Sequence, residues 1–377
     1  MRIGVPKETT EGERRVALVP EVVKKLSATD GIEVVVERGA GAGALIPDAA
    51  FEEAGAMMVD DPASVFDADV VVKVAAPSAE ETGRLGSDST LIAFLGPLTN
   101  GEGVRAIAAT GATSFALEAV PRISRAQSMD ALSSQANIAG YRAALMGAME
   151  LGRYYPMLMT AAGTIRPATV LVLGAGVAGL QAIATARRLG AQTQGFDVRA
   201  AVKEQVESLG AQFLEFDLGG QDLEGAGGYA KELTAEQQTR QQELMAEAIG
   251  KVDVVITTAL VPGRKAPTLV TEAAVKLMKP GSVIVDLAGE AGGNCELSEP
   301  GKTVLAHDVK ILAPLNVPST MAEHASQLYA RNISSLLGLM ISETGTLELD
   351  FDDEIIAGAC ITRDGQIVHE GAKAAAG

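Results

Sequence analysis

The chain of 377 residues is long enough for two domains of ordinary size. Its composition, 47% hydrophobic and 21% charged, is that of a folded globular protein rather than a disordered one. Lysine and arginine number 31 against 48 aspartate and glutamate residues, and the formal charge of −17 argues against a nucleic-acid or anionic-membrane partner. Two cysteines are too few for a disulfide framework, and the charged start of the chain shows no apolar signal-peptide core. We therefore expect a cytoplasmic protein.

Short β-branched runs alternate with helical stretches in the first third of the chain. The predicted strands of this first set are residues 2–6, 32–36, 70–75, 90–94 and 113–116. Strands spaced by helices are typical of βαβ units and a parallel sheet. This region therefore predicts an α/β domain with a doubly wound sheet.

The middle of the chain repeats this pattern after a long helical stretch. Residues 133–155 carry Ala, Met and Leu at near-helical spacing, which predicts a helix joining two domains, and a loop follows at 160–168. A second α/β sheet is predicted from strands at residues 169–173, 192–196, 211–214, 253–257 and 282–287. The longest uncharged stretch, residues 167–186, reads as strand, turn and helix, so no segment is expected to span a bilayer.

The last region of the chain predicts a return to the first domain. Residues 319–340 form a helical stretch long enough to cross back, and the Asp-Gly pair within residues 361–368 signals a hairpin. Residues 373–377 resemble a frayed end. We expect one α/β domain from residues 1–135 with 319–377, and a Rossmann-like α/β domain from residues 136–318.

One segment, residues 215–242, interrupts the alternation with five glycines, many Glu and Gln residues and the aromatic Tyr229. A loop of this length inside a compact domain is usually either a lid or a disordered surface insertion. Composition alone leaves both interpretations open.

The strongest local motif is a GxGxxG triplet that follows an apolar strand and opens a helix. Its glycines are Gly174, Gly176 and Gly179. Such glycines permit a tight turn and close approach of a pyrophosphate to a helix N-terminus. The next strand ends at Asp197, where a carboxylate can bind both ribose hydroxyls of NAD and repel a 2′-phosphate. Arg199 could instead bind the phosphate of NADP, but Asp197 favours NAD.

A second group of polar residues lies just before the long joining helix: Arg122, Arg125, Gln127, Asp130 and Ser133. The crevice of an open α/β sheet would receive a ligand there. The alternative is ordinary helix capping by Asp130 or Ser133, with the arginines paired on the surface.

Histidine is scarce, with His307, His324 and His369 all in the last quarter of the chain. A dehydrogenase that oxidises an alcohol or an amine moves a proton as well as a hydride, and histidine is the commonest group for that task. Direct hydride transfer between two nicotinamide rings needs only proximity, orientation and exclusion of water. Cys295 and Cys360 read as core or surface residues, and no spacing indicates a metal site.

These motifs resemble the proton-translocating nicotinamide nucleotide transhydrogenase family, and within it the NAD(H)-binding alpha-1 subunit, or domain I. The resemblance rests on the RAQSMDALSSQANIAGYRA stretch at residues 125–143, the glycine motif, the FDVR stretch at 196–199 and the AGGYAKE loop at 226–232. The parent superfamily includes alanine dehydrogenase, which shares IGVPKE at 3–8, RVALVP at 15–20 and LVPGRKAP at 260–267.

The resemblance implies roles for individual residues. Arg122, Asp130 and Ser133 would hold the nicotinamide carboxamide and nearby groups, and Gln127 would guide the incoming NADP ring. These four are the candidate catalytic residues. Tyr229 would close a lid over NAD(H), which would gate coupling. The remaining cofactor-binding candidates are Gly174, Gly176, Val177, Ala178, Gly179, Asp197, Val198, Arg199, Gly228, Ala259 and Leu260.

Departures from alanine dehydrogenase favour the transhydrogenase interpretation. Its catalytic His aligns with the Phe94 to Pro97 stretch, which has no imidazole, and its catalytic Asp aligns with Glu290. Arg15 and Lys73 remain at positions resembling its substrate-carboxylate ligands, as a vestigial anion site or as structural ion pairs.

The resemblance also implies the assembly. NADP(H) would be held by a partner, the membrane-bound beta subunit, beside a small membrane alpha-2 subunit. This chain would be a homodimer, peripheral on the cytoplasmic face of the inner (plasma) membrane, and would belong to a Re/Si-specific, proton-translocating enzyme. Two alternatives stay open: a soluble NAD-dependent alanine-type dehydrogenase and a catalytically silent NAD sensor.

Overall fold

The computed structural model describes residues 1–216 and 235–377. The described strands are β1 (Arg2–Val5), β2 (Glu33–Glu37), β3 (Met57–Val59), β4 (Val70–Val72), β5 (Thr90–Ala93), β6 (Thr113–Ala116), β7 (Leu158–Thr160), β8 (Gly163–Ile165), β9 (Thr169–Leu173), β10 (Gln192–Phe196), β11 (Gln212–Phe213), β12 (Val254–Thr257), β13 (Val283–Asp286), β14 (Thr303–Ala306), β15 (Val309–Leu312), β16 (Cys360–Arg363) and β17 (Gln366–Ile367).

The described α-helices are α1 (Pro20–Ser27), α2 (Asp48–Glu53), α3 (Ala63–Phe66), α4 (Ala79–Thr82), α5 (Gly101–Thr110), α6 (Ala131–Glu150), α7 (Val177–Arg188), α8 (Lys203–Ser208), α9 (Ala235–Ile249), α10 (Glu272–Leu277), α11 (Ala322–Met340), α12 (Glu354–Ala359) and α13 (Glu370–Ala376). None of them is long and apolar enough to cross a membrane.

The described chain divides into two compact units. Unit 1 comprises Met1–Gln135 and Pro318–Gly377, and unit 2 comprises Ala136–Val317. Unit 2 is therefore one continuous segment, whereas unit 1 is assembled from two segments that are distant in the sequence. Helix α6 begins in the first segment of unit 1 and ends in unit 2.

Unit 1 is built on a sheet with the strand order β17-β16-β6-β5-β4-β1-β2-β3. The strands β1 to β6 are parallel, while β16 is antiparallel to β6 and β17 to β16. Continuous apolar runs such as Val70–Val72 are buried, as expected for parallel strands with helices on both faces. Helix α11 packs into this core, with Tyr329, Ile333 and Leu336 fully buried on one face.

Unit 2 is built on a sheet with the order β11-β10-β9-β12-β13-β15-β14, parallel except for β14. The carboxyl ends of its parallel strands meet at one edge, which we call the carboxyl edge. The order in which strands are added to the sheet reverses after β11, because β10 and β11 lie on one side of β9 and the later strands on the other. This switch point is where doubly wound sheets bind ligands.

The structure confirms the predicted two-domain α/β architecture and corrects several elements. The long helix spans Ala131–Glu150 rather than residues 133–155, and α11 begins at Ala322 after a short 3₁₀ turn. The predicted loop at 160–168 contains a portion of an antiparallel pair formed by β7 and β8. The predicted loop at 215–242 ends earlier, because residues 235–242 lie in α9.

The expectation of a frayed end at residues 373–377 is wrong. Helix α13 begins after His369, whose Nδ1 accepts the backbone N–H of Ala372 at 3.1 Å. Ala372 is buried, and a Cβ on Gly101 of α5 would overlap the carbonyl oxygen of Ala375. The alanines that suggested a weak end are the small residues that let α13 pack closely on α5.

Candidate functional site

Two of the motif glycines fix the turn after β9. Gly174 has a φ of 97°, in the left-handed region that favours glycine, and a Cβ there would lie 2.7 Å from Thr258 Oγ1. A Cβ on Gly179 would overlap the carbonyl oxygen of Gly174. Neither position accepts a side chain without a backbone shift, so these glycines set the tight turn and the close packing of α7 on β9.

Gly176 has a different reason to lack a side chain. It precedes α7 with a φ of −76°, and an added Cβ would meet no atom of the described residues within 4 Å. In the described chain no side chain caps α7, so the first-turn N–H groups of Val177, Ala178 and Gly179 have no side-chain acceptor. We call these N–H groups and the space beside Gly176 the cradle. Orphan N–H groups and the helix dipole together favour an anion such as a pyrophosphate.

Helix α6 supports the start of α7 within unit 2. A Cβ on Gly140 would overlap the carbonyl oxygen of Ala178, and Asn137 donates a hydrogen bond to Gln181 at 3.2 Å. Gly140 lies in the AGYRA stretch and is not among the predicted site residues. Its lack of a side chain brings α6 directly against the helix that carries the cradle.

Asp197 follows β10 and holds the glycine turn from the side. Its Oδ2 accepts the N–H of Ala175 at 2.8 Å, and Arg199 donates to both carboxylate oxygens at 2.9 Å. Burial alone would raise the pKa of Asp197, but the hydrogen bonds from Arg199 and Ala175 and the charge of Arg199 outweigh burial and lower it. Asp197 is therefore ionised and paired with Arg199, which was also predicted to be a site residue. Val198, between them, packs against the core.

The loop after β12 lies against the same turn. Thr258 donates its hydroxyl to the carbonyl of Gly174 at 3.0 Å. Beyond it, Leu260 is 52% exposed. The predicted residues Ala259 and Leu260 thus lie at the carboxyl edge of unit 2, next to the glycine motif.

Asp286, which the sequence analysis missed, ties the loops of this edge together. The carboxylate is fully buried and accepts five hydrogen bonds. Its donors are Thr257 Oγ1 at 2.8 Å, Ala288 N at 3.0 Å, Asn294 N at 2.8 Å, Cys295 N at 3.0 Å and Ser298 Oγ at 2.6 Å. A buried carboxylate with this many donors organises the segments that follow β12 and β13.

In unit 1, Asp130 and Ser133 contact each other at the start of α6. The Asp130 carboxylate accepts the backbone N–H of Ser133 at 2.9 Å and its hydroxyl at 2.5 Å. This is helix capping, one of the two interpretations that the sequence left open. It leaves the pair half-buried at the surface of unit 1.

Arg122 and Gln127 are exposed, and neither side chain is hydrogen-bonded to another described residue. Their neighbour Arg125 is instead held by Asp353, to which it donates two hydrogen bonds at 2.7 and 2.9 Å. The hydrogen bonds from Arg125 and from backbone N–H groups lower the pKa of Asp353 to about 2. Arg122 and Gln127 are therefore the members of this group whose side-chain polar atoms have no partner among the described residues.

Arg15 and Lys73 both form buried ion pairs inside unit 1. Arg15 contacts Glu13 at 2.6 Å, and its guanidinium donates to Gln135 at 2.9 Å. Lys73 contacts Glu8 at 3.2 Å and Glu81 at 2.9 Å. Of the two interpretations of these cations, the structure supports ion pairing.

The pKa values of the two carboxylates around Lys73 are shifted in opposite directions. Burial raises the pKa of Glu8 above its ordinary value, against the attraction of Lys73. For Glu81, burial alone would also raise the pKa, but the charge of Lys73 and the hydrogen bonds from Lys73 and Ser78 outweigh burial and lower the pKa. The positive charge of Lys73 is thus balanced by carboxylates of the same chain.

The segment aligned with the catalytic histidine of alanine dehydrogenase is apolar. Phe94 packs on Tyr329 with ring centroids 5.2 Å apart, and Gly96 donates its N–H to Glu118 at 2.6 Å. Burial raises the pKa of Glu118. Glu290, aligned with the catalytic aspartate, is exposed and accepts the N–H of Asn316 at 2.7 Å.

Both cysteines and two of the histidines have structural surroundings. Cys295 and Cys360 are buried, and burial raises the pKa of each thiol to about 11. His307 pairs with Glu272 at 2.9 Å and His369 caps α13. Among residues 1–216 and 235–377, no group of His, Cys, Asp and Glu side chains is arranged to hold a metal.

Two of the predicted site residues, Gly228 and Tyr229, lie outside the described residues.

The chain matches the Alanine dehydrogenase/PNT N-terminal domain over residues 4–139 and the Alanine dehydrogenase/PNT C-terminal domain over residues 143–370. It belongs to the alanine dehydrogenase/PNT family. The predicted family and the predicted α/β fold class are both confirmed.

Within the alanine dehydrogenase/PNT family, the chain is similar to members of both named kinds. It is 53% identical to the first portion of the NAD(P) transhydrogenase alpha subunit of Rhodospirillum rubrum, over 98% of each chain. A solved transhydrogenase structure from Sinorhizobium meliloti is 46% identical, covers 98% of this chain and 99% of its own, and has a TM-score of 0.86. An alanine dehydrogenase of Mycolicibacterium smegmatis is 32% identical, over 98% of this chain and 95% of its own.

Proposed function

We propose that this chain is the NAD(H)-binding subunit of a proton-translocating NAD(P) transhydrogenase. It would bind NADH for hydride transfer to NADP⁺ on a partner subunit. The observation that carries the proposal is the open cradle at Gly176, where a Cβ would only fill ligand space, on a chain 53% identical to a transhydrogenase alpha subunit. The cradle has the donors and the room that a dinucleotide pyrophosphate requires.

The adenosine end of NADH would lie at Asp197, Val198 and Arg199. An ionised carboxylate accepts hydrogen bonds from ribose hydroxyls and repels a 2′-phosphate, and the lowered pKa keeps Asp197 ionised at neutral pH. Because Arg199 already pairs with Asp197, its charge is compensated. This arrangement favours NAD(H) over NADP(H) on this chain.

The nicotinamide end would be held by Arg122, Gln127, Asp130 and Ser133. The exposed Arg122 and Gln127 can donate hydrogen bonds, and the Asp130–Ser133 pair presents oxygen atoms fixed by helix capping. Gln127 would orient the second nucleotide, and Tyr229 with Gly228 would cover the bound NAD(H). NADH supplies the hydride, so the residues around it need to orient the rings and exclude water rather than move a proton.

Several observations support the absence of amino-acid dehydrogenase chemistry. Phe94 and Gly96 stand where alanine dehydrogenase has its catalytic histidine region, and Lys73 and Arg15 are neutralised by Glu8, Glu81 and Glu13. A substrate carboxylate would have to displace these internal partners, which are buried.

The partners would be a membrane-bound beta subunit that holds NADP(H) and a small membrane alpha-2 subunit. This chain would lie on the cytoplasmic face of the inner (plasma) membrane through them. We also propose a homodimer. The β7–β8 hairpin is a two-stranded sheet that exposes Met159 and Ile165, and the exposed Met157 directly precedes it. Such a hairpin gains stability when another surface covers it.

Hydride transfer measured with and without a partner tests this function. The purified chain alone should bind NADH and transfer no hydride to an NADP⁺ analogue. Addition of a recombinant NADP-binding domain of a transhydrogenase should start transfer. Amination of pyruvate by the chain alone, with NADH and ammonia, together with no transfer in the mixture, would instead establish the amino-acid dehydrogenase.

Gln127→Asn sharpens the test. The shortened side chain should leave NADH affinity within about twofold of the wild type, while the rate of transfer falls at least about tenfold because reactive geometry is lost. Titration of NADH and single-turnover transfer measure the two effects separately. Equal losses of affinity and rate would contradict the role of Gln127 towards the second nucleotide.

A further inference from the structure

The loop after β12 is held at both ends by one buried side chain. We propose that Asn294 is a positioning residue for the dinucleotide: its amide clamps the loop 259–267 so that exposed residues of that loop contact the bound nucleotide. The inference rests on the proposed NAD(H)-binding function and adds to it a residue outside the glycine motif.

The amide of Asn294 is fully buried and uses both of its polar atoms on backbone groups. Its Oδ1 accepts the N–H of Ala259 at 3.0 Å, and its Nδ2 donates to the carbonyl of Ala259 at 2.9 Å. The same Nδ2 donates to the carbonyl of Pro267 at 2.8 Å. The Asn294 side chain therefore pairs with both backbone polar groups of Ala259, as a neighbouring strand would, and with the carbonyl of Pro267 at the other end of the loop.

The loop between these two anchors is almost entirely exposed. Residues 260–265 are all exposed, and they include the apolar pair Leu260 and Val261. A run of consecutive exposed residues that still keeps a defined course needs an anchor, and Asn294 supplies it at both ends. Exposed apolar residues beside an anion cradle are suited to cover the rings and ribose of a dinucleotide.

The position of the loop relative to the cradle is set by direct contacts. Thr258 donates to the carbonyl of Gly174, and a Cβ on Gly174 would lie 3.2 Å from Ala259 N. Ala259, the residue that Asn294 grips, is therefore packed against the first glycine of the nucleotide turn. A shift of this residue would move the turn as well as the loop.

Asn294 is itself held in place by Asp286. The Asn294 backbone N–H donates to Asp286 Oδ2 at 2.8 Å, and the two preceding glycines have positive φ values of 95° and 82°. A Cβ on Gly293 would lie 2.9 Å from Asp286 Oδ2. The Gly292-Gly293-Asn294 run thus has a physical reason: only glycine allows the chain to bring Asn294 under the loop.

Asn294→Asp tests the clamp with little change in volume. An aspartate keeps an acceptor for the N–H of Ala259 but turns a carboxylate oxygen towards the carbonyls of Ala259 and Pro267, which repels both. We expect the NADH dissociation constant to rise by about fivefold or more, since a lost buried hydrogen-bond partner has effects of this order. Fluorescence titration with NADH measures it.

Asp253→Asn is the matched control, because it acts at the opposite end of the same strand. Asp253 precedes β12 and accepts hydrogen bonds from Thr169 N and Lys279 at 2.9 and 3.1 Å. This variant should lower the melting temperature while the NADH dissociation constant stays within about twofold of the wild type. If Asn294→Asp also stays within about twofold, the clamp is overturned. If the wild type itself binds no NADH, the proposed function fails instead.

Amide hydrogen exchange in the wild-type chain keeps the proposal testable if Asn294→Asp does not fold. The Ala259 amide should be protected without nucleotide, because its donor is already paired, and amides of residues 260–265 should become protected on addition of NADH. Exchange of these amides that is unchanged by NADH at saturation would overturn the proposal.

Discussion

The two units have similarly arranged parallel sheets, but the residues at the carboxyl ends of their strands differ. In each described sheet the first strand, β1 or β9, has two strands on one side. On its other side there are five strands in unit 1 and four in unit 2. At the carboxyl edge of unit 1 lie Lys73 with its carboxylate partners and the Phe94–Tyr329 contact. At the same edge of unit 2 the turn is open at Gly176.

The difference shows that topology creates a place for a ligand and that side chains decide whether it stays available. In unit 1 the chain's own charged groups satisfy one another. In unit 2 the first-turn N–H groups of α7 have no side-chain partner among the described residues. The comparison therefore predicts that substitutions in unit 1 change stability, whereas the right substitution in unit 2 changes binding alone.

The largest effect should come from Lys73→Met. This change leaves Glu8 and Glu81 buried without their cation, and breaking a buried ion pair on one side costs about 3–5 kcal/mol. Thermal or urea unfolding measures the loss. Lys310→Met, which removes an exposed pair with Glu150, should cost less than about 0.5 kcal/mol. Equal stability of the two variants would contradict the contrast between the units.

Two glycine variants separate stability from binding within unit 2. Gly179→Ala should cost about 1–3 kcal/mol of stability, because its Cβ overlaps the carbonyl of Gly174. Gly176→Ala should leave the melting temperature nearly unchanged but weaken NADH binding by about tenfold, or ~1.4 kcal/mol. Calorimetric unfolding and NADH titration of the same samples distinguish them. Unchanged NADH affinity in Gly176→Ala would show that the cradle is not the pyrophosphate site.

The smallest effect concerns pH and Asp197. Because its pKa in the folded chain is lowered, the stability that its ionised form contributes is present above the unfolded-state value and is lost as pH falls through the folded value. Asp197→Asn should therefore be less stable than the wild type at neutral pH, by about 1 kcal/mol. That difference should shrink below about pH 4, near the ordinary pKa of an aspartate. Melting curves from neutral to acidic pH test this, and a pH-independent difference would contradict it.

Elements with strong local signals were predicted closely. The strands Thr113–Ala116, Thr169–Leu173 and Gln192–Phe196 have the bounds that their apolar runs indicate. The glycine motif could also be found, because its spacing after a strand has a direct physical meaning. The hairpin near the end of the chain was predicted from its Asp-Gly pair, and it is formed by β16 and β17.

Elements that have no local signal, or that depend on distant contacts, were missed. The hairpin of β14 and β15 turns at His307 and Asp308, which take positive φ values without the glycine that usually signals such a turn. Asn294 binds backbone groups of Ala259 and Pro267, and Asp286 accepts a hydrogen bond from the side chain of Thr257. These partners are 27 to 35 residues away in the sequence, and no local pattern reveals them. The capping of α6 by Asp130 was one of two interpretations, and only coordinates could show the hydrogen bond.

The interrupted sequence of unit 1 has a consequence for synthesis on the ribosome. Unit 2 is a single run, Ala136–Val317, and can fold once that run has emerged. Unit 1 must wait for Pro318–Gly377, because α11 supplies Tyr329 to its core and β16 pairs with β6. At roughly 5–20 residues per second, the nascent first segment waits about ten seconds or longer with an incomplete apolar core. Chaperones that bind such surfaces would therefore meet the earliest region of this polypeptide, not its middle.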